Sequence, residues 1–345
     1  MDLARVLAIG AVVLIHVVAP VVSGAHGAEF SQPRWWLGNV IDSACRAAVP
    51  LFVMVSGALM LSAGRREQVG DFYRRRVQRI GLPLVFWSAA YLVLRTTVHG
   101  QSLGPEDILR ALANGSPYFH LYFLFVIAGL YLVTPFLRLL VDHAPERLTV
   151  LLCLALFGLG ATDQVLVSFL DAGQPNAVTY ALPYAGYFIA GHLLAQCTLP
   201  PSAVRVAGAA FLLSTAATAA GTWVLARPRG WSGPASYLYD YLSPTVIAAS
   251  ISAFVLLRAL PDRFPVLDRA AVAGSVSRLS TLSFGVYLVH PALMVLYRLY
   301  GPADALPSRA PALLVAVVMQ WLVVVLAALA ATALLRSVPL LRRVV

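Results

Sequence analysis

The sequence predicts an all-α integral membrane protein, a polytopic bundle of about ten transmembrane helices with both termini cytoplasmic. Three observations predict it. Of 345 residues, 60% are hydrophobic and only 12% are charged, about half the ~25% charged residues of a typical soluble domain. Mean hydropathy is +0.80. The apolar residues gather into runs of about 20, the length a helix needs to cross ~30 Å of hydrocarbon. The net charge of +10 rests wholly on 25 arginines, with no lysine, and these arginines are shared unequally between alternate loops.

The runs fall at 3–22, 44–62, 80–98, 120–140, 148–162, 177–197, 204–225, 243–260, 279–299 and 309–335. The first follows Arg5 and precedes small residues near Ala25, which fits a signal peptide loosely. Its length, the His16 at its middle and the many spans after it make it a retained helix. The second follows Gln32-Pro33 and holds Ser56-Gly57, a small-residue pair suited to helix packing. The third starts beyond an arginine cluster and the fourth beyond Gly104-Pro105. The fifth is the shortest, because Asp163 and Asp171 interrupt its downstream half. Gly173-Gln174-Pro175, Pro200-Pro201, the stretch from Gly230 to Pro234, Pro261 and Pro307 separate the remainder.

Arginine placement sets the orientation. The N-terminal side and every second loop after it hold Arg5, Arg65, Arg66, Arg74, Arg75, Arg76, Arg79, Arg138, Arg147, Arg205, Arg258, Arg263, Arg269, Arg278, Arg336, Arg342 and Arg343, which is 17 of the 25. The other side holds Arg34, Arg46, Arg95, Arg110, Arg227, Arg229, Arg298 and Arg309. That bias places both termini in the cytoplasm. It also accounts for the basic charge as a topology signal, and no nucleic-acid partner is expected. The loops are too short for a soluble domain, so 1–345 reads as one membrane domain. Cys45, Cys153 and Cys197 show no metal or redox spacing. They are expected to be small core residues, and no metal site is expected.

Ionisable groups within a span are expensive and point to function. Ten residues separate Arg5 from His16. Eleven positions make almost three helical turns, so the two share a face about 16 Å apart along the axis. Asp2, three residues before Arg5, shares it too. That face carries a carboxylate and a cation at the cytoplasmic mouth and an imidazole near mid-membrane, where it is able to act as a general base. The bland alternative is a His16 that only hydrogen-bonds a neighbouring helix; the aligned arginine argues against it. A second cluster, Arg74-Arg75-Arg76-Val77-Gln78-Arg79, puts Arg76 and Arg79 on one face at the start of the third span. Guanidinium forks suit phosphate, although orientation alone explains the cluster as well.

These residues resemble the acyltransferase 3 family of membrane O-acyltransferases. The resemblance rests on Asp2-x-x-Arg5 with His16, on Val49-Pro50-Leu51-Phe52-Val53-Met54-Val55-Ser56-Gly57, and on Phe72-Tyr73-Arg74-Arg75-Arg76-Val77-Gln78-Arg79-Ile80. It extends to His120-Leu121-Tyr122-Phe123-Leu124 with Tyr131 and Pro135, and to Ser283-Phe284-Gly285-Val286-Tyr287-Leu288-Val289-His290-Pro291. The segments come in the family's order across the chain, and the His120 segment is most similar to the branch that O-acetylates surface polysaccharides. The resemblance implies a ten-helix bundle that takes an acyl group, acetyl above all, from cytoplasmic acyl-CoA. It delivers the group to a hydroxyl of an extracytoplasmic glycan or glycolipid, in the bacterial cytoplasmic membrane. By the same resemblance His16 is the catalytic histidine, Arg5 holds or orients the donor, and Arg76 and Arg79 contact the CoA phosphates. Direct transfer and a covalent acyl-enzyme relay both remain open. The motif starts directly at Met1. The chain ends at Val345 without the hydrolase-like domain that some relatives append, so the acceptor is expected to reach the membrane domain directly or through a partner.

Secondary candidates are weighed against structural roles. His120 and Tyr122, at the expected outer end of the fourth span, are acceptor contacts or members of an interfacial aromatic belt. The same choice holds for Trp35, Trp36, Tyr180, Tyr184, Trp231, Tyr237, Tyr239 and Tyr241. His290 beside Pro291 either packs on the first span and tunes His16 or satisfies a carbonyl freed by the proline. Asp2 is a further tuning position. Asp240 is expected to be solvated, His192 has no assigned role, and Ser56 is a remote candidate for an acyl-carrying nucleophile. The alternative class is a secondary transporter or flippase of a lipid-linked glycan. The inverted repeats such proteins show are not evident, and the charges gather at the cytoplasmic mouth rather than across the bundle.

Overall fold

A computed structural model describes residues 1–62, 67–173, 176–301 and 307–345. Arg65 and Arg66, and the Gln174-Pro175 part of one break, lie outside the described residues. The described residues are 83% helical with no strand. In order the helices are α1 Asp2–Ser23, α2 Pro33–Cys45, α3 Ala48–Met60, α4 Val69–Arg76, α5 Leu82–Thr97, α6 Pro105–Ala113 and α7 Tyr122–His143. They continue as α8 Glu146–Leu170, α9 Ala181–Gln196, α10 Pro201–Arg229, α11 Gly233–Ser236, α12 Pro244–Arg263, α13 Ala270–Tyr300 and α14 Ala310–Ser337.

Nine helical stretches among the described residues are long and apolar enough to cross a membrane. The tenth expected span, 177–197, is α9, which has only 16 residues, or about 24 Å at 1.5 Å per residue. It is nonetheless well enclosed, with Tyr187, Phe188 and Ile189 fully buried. Arg258 of α12 donates to the Leu194 carbonyl near its end. Across the seam with α3, the two backbones touch. A Cβ on Gly57 would lie 1.8 Å from the Phe188 carbonyl oxygen, and one on Gly191 would lie 2.0 Å from that of Met54. The Ser56-Gly57 pair therefore marks close helix packing, as small residues do in membranes.

Three boundaries correct the sequence reading. The second span starts at Pro33, which occupies the first turn of α2 where a missing N–H is harmless. It runs through Arg46 to Met60, so it begins well before residue 44 and takes in Asp42 as well as Arg46. The fifth helix passes Asp163 and ends only at Asp171, which adopts the left-handed region at φ 51°. The third span starts earlier, at Val69, and holds a π-turn at Val77–Gly81. Pro83 follows that turn and has no N–H for the carbonyl of Arg79, four residues back, so the helix widens there.

Helix α1 packs against α2, α3, α13 and α14, which makes the helix carrying Arg5 and His16 central. At the end opposite Arg5, Val22, Phe30, Trp35, Ala235 and Tyr239 form a separate apolar cap. Trp35, Tyr184 and Tyr239 are thus buried core groups and not an exposed interfacial belt. Cys153 is buried, but Cys197 is exposed, which corrects its expected place in the core.

Candidate active site

A cavity of about 700 Å³ opens at the end of the bundle where Asp2 and Val345 meet, so the first and last residues lie on one face. Six guanidiniums line it, those of Arg5, Arg75, Arg79, Arg336, Arg342 and Arg343. Asp2 stands close to Arg5 as its shared helix face requires, with an O–N distance of 3.4 Å. Asp2 also accepts from Ser280 Oγ at 2.8 Å, which fixes the start of α1 to α13.

A narrower chamber continues inward, sharing Arg5, Arg79, Ser280, Thr281 and Phe284 with the mouth. Arg76 joins Arg5 and Arg79 in its wall. The three arginines singled out from the sequence thus converge on one space. Arg76 is held by stacking, its guanidinium 5.2 Å from the ring centres of both Phe72 and Tyr131. Such contacts keep a cation in place without a carboxylate to neutralise it. Farther in, the walls become aromatic with Phe52, Phe123 and Tyr287, and Ser56 adds a hydroxyl.

Tyr287 connects this chamber to a cluster of histidines. Its ring centre is 5.3 Å from that of His120 and 6.3 Å from that of His290. His290 stacks on His16 at 5.4 Å, and His120 meets His290 edge-on at 5.6 Å. Phe119 closes the other side of His16 at 4.8 Å. Pro291 explains the setting of His290. The proline leaves the carbonyl of Tyr287 without its helical donor, and His290 Nδ1 lies 2.8 Å from that oxygen. A carbonyl only accepts, so Nδ1 carries the proton and Nε2 is left as an acceptor. That Nε2 is buried without a hydrogen-bond partner, as are both ring nitrogens of His120. His290 therefore both packs on α1 and satisfies the freed carbonyl.

The structure places the other candidates differently. His120 lies in the turn before α7 and is only 3% exposed, in the interior and not in a belt at an outer rim. Tyr122 packs against Tyr180 at 5.6 Å, away from the histidine rings. Asp240 is not simply solvated, because Gln164 Nε2 donates to it at 2.7 Å. His192 is buried beside Gln196.

Two features escaped the sequence reading. Asp42 and Arg46 form a buried ion pair at 2.7 Å, and Arg46 also stacks 4.2 Å over the Tyr239 ring. The i,i+4 spacing was its signal, hidden because the apolar run taken as the span starts at residue 44, beyond Asp42. The second is the approach of Arg336, Arg342 and Arg343 to Arg5, which no local pattern encodes.

An arginine-lined mouth, a chamber continuing inward from it and a histidine cluster reached at Tyr287 thus lie together in one multi-pass helical bundle. A family model described as an acyltransferase domain (Acyl_transf_3) matches residues 1–336. The chain belongs to the acyltransferase 3 family and is a membrane acyltransferase. No curated protein and no solved structure matches it.

Proposed function

We propose that the chain is an acyl-CoA-dependent O-acyltransferase that moves an acetyl group from cytoplasmic acetyl-CoA to a hydroxyl of an extracytoplasmic glycan or glycolipid. The reading places it in the polysaccharide-modifying branch of the family and in the bacterial cytoplasmic membrane, with both termini cytoplasmic. One observation carries it. Arg5, Arg76 and Arg79 line one chamber, and the inner wall of that chamber, at Tyr287, meets His120 and His290, the second of which stacks on His16.

On this reading the guanidiniums take the phosphates of the donor, and its thioester end extends along the aromatic chamber toward mid-membrane. In the direct route the acceptor oxygen attacks the thioester carbonyl while His16 takes the hydroxyl proton. The C–S bond breaks as the ester forms. The departing thiolate then recovers the proton from the imidazolium, giving free CoA thiol and neutral His16. His290 holds the His16 ring by stacking. Positioned general-base catalysis of this kind contributes about 10²–10⁴-fold.

The test is transfer of labelled acetyl from acetyl-CoA to a cell-envelope extract by the purified protein and by His16→Ala. Label in a glycan or glycolipid with the parent alone supports the reading. Retained transfer by a folded His16→Ala protein sinks the role of His16. Movement of unmodified solute across vesicles, with no acyl-CoA consumed, would instead identify a transporter.

A further inference from the structure

Four of the six guanidiniums at the mouth, those of Arg75, Arg336, Arg342 and Arg343, have no part in the reading so far. Arg336 ends α14, and Arg342 and Arg343 sit in the short 3₁₀ turn Leu341–Arg343 that follows. Arg342 and Arg343 lie beyond residues 1–336, which the family model matches, so family membership assigns them nothing. Two anchors hold this segment across the mouth. Arg336 Nη1 donates to the Thr281 carbonyl of α13 at 2.7 Å. Trp87 Nε1 of α5 donates to the Val344 carbonyl at 2.8 Å. The turn is thereby fixed beside Arg5, Arg75 and Arg79 in one cavity.

The charge balance there is lopsided. Arg5 has Asp2 and Arg75 has Glu67 at 3.2 Å. Among the described residues, no carboxylate lies within ion-pair distance of Arg79, Arg336, Arg342 or Arg343. Like charges gathered in a cleft raise its potential and draw in anions. A lone phosphate engages one or two guanidinium forks. A cavity of about 700 Å³ with six of them matches a ligand that carries several phosphates and has bulk between them.

We infer that Arg336, Arg342 and Arg343 form a second phosphate-binding wall of the mouth, engaging the phosphate groups of a soluble nucleotide-type donor. The inference rests on the acyl-CoA reading above and extends its site through Arg336 to Arg342 and Arg343, beyond the residues the family model matches. The wall contributes donor affinity, while the chemistry stays with the chamber and the histidines. Phosphate could also come from anionic lipid headgroups at the membrane surface, and the experiment separates the two sources.

Full-length protein would be reconstituted in zwitterionic vesicles and in vesicles containing anionic phospholipid. Equilibrium binding of labelled CoA and the KM for acetyl-CoA would be measured for the parent, Arg342→Ala/Arg343→Ala and Arg342→Lys/Arg343→Lys. The alanine pair is expected to raise both Kd and KM about tenfold or more, as loss of charge-assisted contacts does, in both vesicle types and with a much smaller change in kcat. The lysine pair is expected to fall between it and the parent. If the alanine pair does not fold, Arg342→Gln/Arg343→Gln, which keeps length and polarity, takes its place with the same expectation. Binding of CoA by the neutral variant as tightly as by the parent overturns the inference alone. A defect confined to anionic vesicles assigns the wall to lipid headgroups and also overturns it. A parent that binds no CoA in either vesicle overturns the acyl-CoA reading itself, and the inference with it.

Discussion

Replacing Gly57 with alanine tests the seam that sets one wall of the arginine-lined chamber. The new Cβ would lie 1.8 Å from the Phe188 carbonyl oxygen, whereas ordinary contact begins at 3.4 Å. Helices α3 and α9 must therefore part locally by about 1.6 Å, the difference between those distances. The obstacle is backbone, so no rotamer change relieves it. Overpacking a close-packed interior costs about 1–3 kcal/mol. A rigid backbone puts this case at the top of that range, and alanine recovers about 1 kcal/mol of helix propensity. The expected net loss is about 2 kcal/mol, a fall of about 4 °C in melting temperature at ~2 °C per kcal/mol. Phe52, Ser56 and Met60 of α3 line the chamber, so donor turnover should fall further, since a displacement of about 1 Å is worth up to ~10²-fold in rate. Thermal unfolding of the solubilised protein is the assay. Gly158→Ala is the control, because its Cβ meets nothing within 4 Å, and it should melt at or slightly above the parent. Gly191→Ala should match Gly57→Ala, and the double variant should lose less than the two combined, because one separation relieves both contacts. Melting of Gly57→Ala within about 1 °C of the parent, or strict additivity of the pair, would refute the argument.

Two further outcomes follow from the same geometry. Asp42→Ala takes the carboxylate from the part-buried Arg46 guanidinium, which keeps only the Tyr239 carbonyl and ring. This should destabilise the fold by about 1–3 kcal/mol, and Asp42→Ala/Arg46→Met should recover part of that loss, whereas an unchanged melting curve for the single variant would show that the pair does not hold the Tyr239 end of the bundle together. His290→Phe keeps a ring against His16 but removes the bond to the Tyr287 carbonyl, so kcat should drop about 10²-fold while the donor KM barely moves. A change confined to KM would instead place His290 in the donor chamber, and partial rescue of kcat by His290→Asn would support the hydrogen bond.

Much of this site was legible because it is written at helical spacing. Asp2, Arg5 and His16 share a face by periodicity alone. Arg76 and Arg79 were placed on one face by i,i+3 spacing, and they line the same chamber although a π-turn intervenes. The boundaries were less legible. Asp163 read as a break but sits within α8, because an ionisable side chain interrupts an apolar run without breaking the helix's own hydrogen bonds. Arg46 read only as a charge on one side of the membrane because hydropathy does not register a partner four residues earlier, and Asp42 is what makes its partial burial tolerable.

By itself, then, the sequence determined that this protein is a bundle of membrane helices of the acyltransferase 3 family and which of its ionisable residues share a helix face. Those features depend on local periodicity, run length and motif order. Tertiary structure alone decided which faces meet. It brought His290 from residue 290 onto His16, sank His120 into the interior and folded Arg342 and Arg343 over the mouth that Arg5 opens. Such contacts join residues hundreds of positions apart. They are set by helix packing, such as the glycine seam of α3 and α9, and packing of that range leaves no periodic mark on the chain.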